Sequence, residues 1–416
     1  MPRPNIILIV ADDLGYGDVG CYGNSVNKTP HIDALADGGL TFTDFHSNGP
    51  VCSPTRAALL TGRYQQRAGV ESALGENEPG LMTHERTIAS CLRDAGYTTG
   101  LIGKWHLGMS LEEGPNQHGF QHFIGHRHGA LDYFSHVTKY GAVDWWHNEK
   151  LCDEEGYCTE LITDHAVQFI REQRENPFFL FVSHSTIHFP WMTPEDSAHR
   201  QEGVRYTDLS RLGPHPPEKV GTVVRRMIES LDDSVGRIME TLRDCDLERE
   251  TFVFFTSDNG GIREYAGGFK EISSNGPYRD GKGSVYEGGH RIPAIAYWPD
   301  RIASGQTTTE TTLTMDLFPT YLSLAGVSPP EDLDGKDLSS ILFENKPLPE
   351  RVLFWRLRNK KAVRKGPWKL CVQGQERELF NLSEDCSETV DLSNEHPKIT
   401  ETLAADLSQW EREVGQ

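Results

Sequence analysis

The sequence predicts an α/β fold built on a largely parallel sheet, and two observations carry that expectation. Four short apolar or β-branched runs, NIILIVADD (5–13), TTGLIGKWH (98–106), FFLFVSHSTIH (178–188) and TFVFFTSDNGG (251–261), each break off into polar residues. Helix-like segments at 84–96, 159–173 and 219–243 precede three of them. Strands that read as unbroken hydrophobic runs are covered on both faces, as parallel strands between two layers of helices are. In such sheets ligands bind beyond the carboxyl ends of the strands, so the polar residues found there are the first candidates for chemistry.

A chain of 416 residues is long enough for one large domain and a smaller one, and the pattern changes near residue 345. Beyond it, VLFWRLRNKKAVRKGPWKLCVQG and RELFNLSEDCSETVDL alternate as short strands about a Gly-Pro turn, followed by the helix-like ITETLAADLSQWEREV. The expected division is 1–345 for the α/β domain and 346–416 for a small antiparallel sheet with a terminal helix. Charged residues make up 25% of the chain, and 41 basic against 61 acidic residues give a net charge of -20. That balance argues against nucleic acid or an anionic membrane as the main partner and requires any anion site to be a local concentration of positive charge. The run NIILIVA is too short to span a bilayer and lacks the layout of a signal peptide. The compartment is therefore open: periplasmic or secreted if a signal has been removed, otherwise cytoplasmic. Eight cysteines do not make a disulfide framework, although Cys152 and Cys158 are close enough in sequence to bridge.

The strand ends supply Asp12 and Asp13, then Lys104 and His106, then His184 and His188, then Asp258 and Asn259. Singly, an Asp-Asp pair or SDNGG reads as a turn. Together, three carboxylates and an amide oxygen suit a hard cation such as calcium or magnesium, while lysines and imidazoles suit an oxyanion. The stretch GPVCSPTRAALLTGRY (49–64) places Cys52 at the start of a short helix that tolerates Pro54 in its first turn and stops at Gly62. Such a helix end lowers a thiol's pKa and offers free N–H groups to an anion, with Arg56 one turn on. In GKGSVYEGGHRIP (281–293) the glycines permit close backbone approach and Lys282 lies between two of them.

These blocks, in this order, resemble the type I, formylglycine-dependent sulfatases of the alkaline phosphatase superfamily. CSPTR matches the family's C-x-P-x-R signature and is followed by LLTGR; ADDLGYGD, GKWHLG, HFPW, SDNGG and GKGSVYEGGHRIP match its other blocks. The resemblance covers about residues 5 to 340 and implies an alkaline-phosphatase-like large mixed sheet flanked by helices. It implies that a separate maturation enzyme oxidises Cys52 to Cα-formylglycine. One hydroxyl of the hydrated aldehyde would attack the sulfur of a sulfate ester, and loss of a proton from the other would expel sulfate by elimination. Asp12, Asp13, Asp258, Asn259 and residue 52 would hold calcium, with magnesium as the alternative. Arg56 would orient the hydrate; Lys104, Lys282 and His188 would bind the sulfate. His188 with Lys282 would protonate the leaving alcohol, and His106 would take the proton in the elimination. His184 has no firm counterpart in the family pattern.

The stretch GHRHGALDYFSHVTKYGAVDWWHNEK (125–150) is dense in His, Arg, Tyr and Trp. Its aromatic rings could stack on sugars, and His126, Arg127 and His128 could contact hydroxyls or further sulfates; the same residues could equally pack beneath a long loop. The stretch resembles sulfatases acting on sulfated galactose or N-acetylgalactosamine of glycosaminoglycans and algal galactans. Three other readings stand beside a carbohydrate sulfatase: an aryl sulfatase, a phosphonate monoester or phosphodiester hydrolase of the same superfamily, and a sugar-binding protein in which Cys52 is never converted.

Overall fold

The computed structural model describes residues 3–415. Its main sheet draws ten strands in chain order from Asn5–Ala11 (β1), Leu40–Phe42 (β2), Thr98–Lys104 (β3), His122–His126 (β4), Trp146–His147 (β5), Lys150–Leu151 (β6), Phe178–Ser183 (β7), Thr251–Ser257 (β8), Ala294–Tyr297 (β9) and Gln306–Thr308 (β10). Their spatial order is β10-β2-β9-β8-β1-β7-β3-β4-β5-β6. The central five, β8, β1, β7, β3 and β4, are parallel, whereas β9 and β5 run antiparallel to their neighbours. The sheet is therefore mixed, with the four predicted runs side by side at its centre.

Residue alternation along β1 explains why these runs are continuous. Ile7 and Ile9 pack with Ile32 of helix α1 (Pro30–Gly38), Ile162 and Ala166 of α4 (Cys158–Gln173) and Ile228 and Leu231 of α5 (Val220–Asp244). Ile6, Leu8 and Val10 point the other way, against Ala57 and Leu60 of α2 (Cys52–Thr61), Ile88 and Leu92 of α3 (Ile88–Asp94) and Leu317 and Tyr321 of α6 (Leu317–Leu324). With both faces buried, every position from Ile6 to Ala11 is apolar, and polar residues return only when the chain leaves the sheet. Helices α4 and α5 begin and end within one residue of expectation; α3 is shorter than the expected 84–96. Its start is fixed by Thr87, whose hydroxyl accepts the Ser90 N–H, and it ends before Gly96, whose φ is 89°.

The C-terminal sheet has four antiparallel strands, β11 (Val352–Leu357), β12 (Lys360–Lys365), β13 (Trp368–Gln373) and β14 (Glu376–Asn381), covered by α7 (Pro397–Val414). Leu403, Leu407, Trp410 and Val414 of that helix share one apolar cluster with Trp355 and with Ala58, Tyr64 and Val285 of the preceding chain. Buried charges join the two sheets as well. The guanidinium of Arg364 forks onto Asp44, Nη1 to Oδ1 at 2.9 Å and Nη2 to Oδ2 at 2.7 Å, and Lys369 reaches Glu287 at 2.9 Å and Glu388 at 2.8 Å. Trp355 Nε1 donates to the Ser47 carbonyl and Lys360 Nζ to the Gly283 carbonyl. Cys152 and Cys158 are both free thiols, so the bridge that their spacing allows is not made. Among the described residues no helix is long and apolar enough to cross a membrane.

Burial drives the Asp44 carboxyl upward, but Arg364 and Arg291 outweigh it and hold the group well below the ordinary carboxylate range. A depressed folded pKa stabilises the fold above the unfolded value of 3.8, and that contribution is lost as the pH falls further. Arg364→Met should cost about 3 kcal/mol at neutral pH, because it takes the bidentate partner from a buried carboxylate and leaves Arg291 to offset it, and should flatten the acid limb of stability against pH. Denaturant melts of both proteins between neutral and strongly acidic pH check this; an unchanged acid limb would place the clamp's energy elsewhere.

Candidate active site

The carboxyl ends of β1, β8, β3 and β7 converge with the start of α2. Asp12 and Asp13 follow β1, Asp258 and Asn259 follow β8, and Lys104 closes β3. Asp13 and His106 both have left-handed backbones, φ 65° and 57°, a costly conformation for non-glycine residues that is found where a site over-determines it. The Asp13 N–H is held by Asp258 Oδ1 at 3.2 Å. The loops are interlocked: the Lys282 N–H donates to the Gly261 carbonyl, the Gly283 N–H to the Pro50 carbonyl and the Leu74 N–H to Ser53 Oγ. The glycines of the two glycine-rich blocks allow this, since a Cβ on Gly260 would stand 1.9 Å from the Gly288 carbonyl oxygen.

Three buried acids face three cations. Lys104 Nζ lies 2.6 Å from Asp12 Oδ2, Lys282 Nζ 2.5 Å from Asp13 Oδ1, and Arg56 Nε and Nη2 lie 3.0 and 2.9 Å from Asp258 Oδ2. Arg56 Nη1 also donates to Ser183 Oγ and the Lys104 carbonyl. Burial raises the Asp12 carboxyl well above its usual value, further than Lys104 can lower it. Burial also raises Asp13, but there Lys282, His188 and Lys104 prevail and hold it at about 2.

The fit to a cation can be tested on the oxygens themselves. Asp12 Oδ1, Asp13 Oδ2 and Asn259 Oδ1 are buried and accept no hydrogen bond, and Asp12, Cys52 and Asp258 bring ligand atoms within 4.8 Å of one another. Buried acceptors are rarely left unpaired, and hard oxygen donors around one point fit calcium or magnesium. The residues present therefore suit the ion that the sequence implied.

Cys52 is the first residue of α2 and 2% exposed. Its thiol is pushed up by burial, and Lys104 and Lys282 only partly offset this. This corrects the expectation of a lowered thiol: the helix end is present, but the group is dry and close to Asp12 and Asp258. Burial, followed by the charge of Lys104, drives His106 well below its ordinary value; burial and Lys282 do the same to His188. His106 Nε2 faces the Leu74 carbonyl at 3.1 Å and His188 Nδ1 the Phe189 carbonyl at 2.6 Å. In neutral rings these nitrogens carry the protons, which leaves His106 Nδ1 and His188 Nε2 as bases. Lys282 is lowered by burial but raised far more by Asp13, Cys52 and Asp12, so it stays an ammonium.

Cys52, His106, His188 and Lys282 open onto a cavity of about 460 Å³ whose outer wall includes Leu74, His128, Tyr140, Phe189, Arg200 and Tyr265. A larger hollow of about 1200 Å³ beside Arg263, Ser274 and Glu388 touches none of the strand-end residues. His126 and Arg127, expected at the substrate, do not line the cavity. His126 is spent on Ser185 Oγ and the His128 carbonyl. Arg127 is 2% exposed and lies 4.0 Å above the Trp146 ring, while its carbonyl receives the His106 N–H. Both are thus props behind the wall. His184 is likewise outside, bonded to Ser234 of α5. Sequence reasoning missed Leu74, Tyr140, Arg200 and Tyr265, which come from long loops; only Tyr140, inside the aromatic stretch, carried any signal.

The chain matches known proteins along most of its length. Residues 4–327 match the family described as Sulfatase, and residues 278–413 match that described as N-sulphoglucosamine sulphohydrolase, C-terminal. The chain is 36% identical to N-acetylgalactosamine-6-sulfatase of Rattus norvegicus over 390 residues, 88% of this chain and 71% of the other. It is 34% identical to arylsulfatase A of Homo sapiens over 443 residues, covering 97% and 82%. Among solved structures, Ps i-CgsB in complex with k-i-k-neocarrahexaose superposes with a TM-score of 0.87 at 31% identity, covering 98% and 92%. The phosphonate monoester hydrolase of Agrobacterium radiobacter shares the fold, with a TM-score of 0.71 at 20% identity over 99% and 96%.

The unpaired oxygens predict that calcium added to chelator-treated protein raises the thermal midpoint, because an ion that binds only the folded state stabilises it by mass action. Asn259→Leu, which removes one oxygen ligand without unpairing a cation, should weaken that shift at least tenfold in calcium concentration. A midpoint indifferent to calcium in the unaltered protein would refute the assignment.

Proposed function

Since the chain belongs to the sulfatase family and is thus a sulfuric ester hydrolase, we propose that it removes sulfate from a sulfated carbohydrate, a galactose or N-acetylgalactosamine unit of a glycosaminoglycan or algal galactan. The observation that carries this is the cavity, which leads from Cys52 to a wall bearing Tyr140 and His128. Support for the sugar comes from the relatives named N-acetylgalactosamine-6-sulfatase and from the similar structure in complex with k-i-k-neocarrahexaose.

Conversion of Cys52 to Cα-formylglycine by a maturation enzyme, together with a calcium or magnesium ion, would supply a nucleophilic hydroxyl and the positive charge that acidifies it. The residues of the chain do the rest. Asp12, Asp13, Asp258 and Asn259 hold the cation, and Arg56 fixes Asp258 while adding positive charge below residue 52. Lys104 and Lys282 offer ammonium donors to sulfate oxygens as negative charge builds on them. His106 Nδ1, buried and without a partner, is the base for the second hydroxyl proton. For the leaving alcohol, Lys282, an ammonium in the resting site, and His188 both line the cavity and together would supply the proton. His188 Nε2 lies 3.9 Å from Asp13 Oδ2, on the same carboxylate that pairs with Lys282.

Cys52→Ala should abolish sulfate release and leave the melting curve nearly unchanged, and the peptide containing residue 52 in the active protein should show an aldehyde by mass and reagent labelling. Near-normal turnover by that variant would end the formylglycine reading. Faster hydrolysis of an aryl phosphonate than of the matched aryl sulfate would favour the phosphonate reading instead.

The cavity wall gives a second expectation. Tyr140→Ala should lower kcat/KM on a sulfated galactan or galactosaminide by roughly three- to tenfold, the loss of one stacking contact worth about 0.5–1.5 kcal/mol. Turnover of a small aryl sulfate should hardly change. Arg127→Ala, by contrast, should depress both substrates together through His106 and through stability. Kinetics on the two substrates separate these cases; an equal loss in Tyr140→Ala would move that residue out of sugar recognition.

A further inference from the structure

A second cluster of ligating side chains lies apart from the cavity, at the edge of the main sheet. His147 ends β5, next to the edge strand β6, Glu154 sits in the loop after β6, and His165 projects from α4. His165 Nε2 lies 2.9 and 3.0 Å from the two Glu154 oxygens, and His147 Nε2 lies 3.4 Å from Glu154 Oε2. The two imidazoles meet edge-on, with centroids 5.3 Å apart at 90°. One ligand atom from each residue falls within 4.8 Å of the other two.

We propose that His147, Glu154 and His165 bind a divalent transition-metal ion, zinc foremost, as a clip between the 127–157 segment and α4. Zinc held tetrahedrally by nitrogen and oxygen at about 2.0–2.2 Å places its ligand atoms about 3.3–3.5 Å apart, so the triad needs only small side-chain shifts to close on one. Two imidazoles and one carboxylate favour zinc over calcium or magnesium. The carboxylate is already oriented from behind, since Trp145 Nε1 donates to Glu154 Oε2 at 2.8 Å, the kind of supporting bond that fixes metal ligands. Among the described residues no lysine or arginine pairs with Glu154. The contrast is His46, Glu287 and His290, which are equally close but wholly buried, with Lys369, Arg291 and Arg364 on the same carboxylate. That cluster is filled by its own cations. The side chains of His147, Glu154 and His165 are 42, 28 and 12% exposed, which gives an ion an entry path and leaves a coordination position for water.

The test is zinc uptake by chelator-treated protein, full chain, compared with His147→Ala and Glu154→Gln. His147 is half-exposed, so its variant keeps the fold. The unaltered protein should bind one more equivalent of zinc than either variant, show a zinc-dependent rise in melting temperature that both variants lose, and give with cobalt(II) a tetrahedral visible absorption band that both lack. Hydrolysis of a small aryl sulfate should be the same in all three, because none of the triad lines the cavity. Equal zinc uptake in the unaltered protein and His147→Ala, or an equal melting shift, would overturn the proposal, and neither result bears on the sulfatase reading.

Discussion

Everything at the active site hangs on a balance of buried charge. Asp12, Asp13 and Asp258 lie beyond two adjacent strands with almost no exposure, and each is met by one cation from a different part of the chain: Lys104 from β3, Lys282 from a glycine-rich loop, Arg56 from α2. Removing one partner from such a set leaves an uncompensated charge in a dry interior. The set therefore dictates where β3, α2 and the 281–293 loop must lie. It also splits two neighbouring carboxyls: burial carries Asp12 upward, while Lys282 and His188 hold Asp13 down. The surplus oxygens of that balance are what a divalent ion would satisfy.

How far the chain could be read in advance follows from the range of the forces involved. The four central strands were legible because double coverage makes their interior positions mostly apolar, and their ends were legible because polarity returns abruptly. The candidate residues at those ends, Asp12, Asp13, Lys104, Asp258 and Asn259, could be named for the same reason, and Lys282 from its place between two glycines. The errors concern interactions that no local pattern encodes. Arg127 looked like a ligand for sugar in an aromatic stretch, yet Trp146 captures its guanidinium. Cys52 looked activated by a helix end, yet desolvation dominates there. Leu74 and Arg200 reach the cavity through loops whose course is set by packing, and the left-handed turns at Asp13 and His106 have no signature in residue type.

The chemistry and the selectivity are built on different supports. The groups proposed to face sulfate stand on strand ends, a helix start and, for Lys282, the interlocked glycine-rich loop. The outer wall belongs to segments such as 127–157, whose inner side is tied down by Asp144 bonding His128 and by Tyr133 bonding the Ser185 carbonyl. A site arranged in this way can change its sugar by altering loops and leave the reacting centre untouched.

The small C-terminal sheet bears on the timing of synthesis. It is made long after the segment that carries Cys52, and Trp355 and Arg364 grip Ser47 and Asp44 just ahead of that segment while Lys360 holds Gly283 of the glycine-rich loop. While those strands are still in the ribosome, the helix bearing Cys52 lacks the packing that Ala58 shares with Trp355 and Leu353. The thiol that ends 2% exposed is thus sealed in late. On the formylglycine reading proposed above, a maturation enzyme would have the interval between emergence of residue 52 and completion of the C-terminal strands in which to reach it.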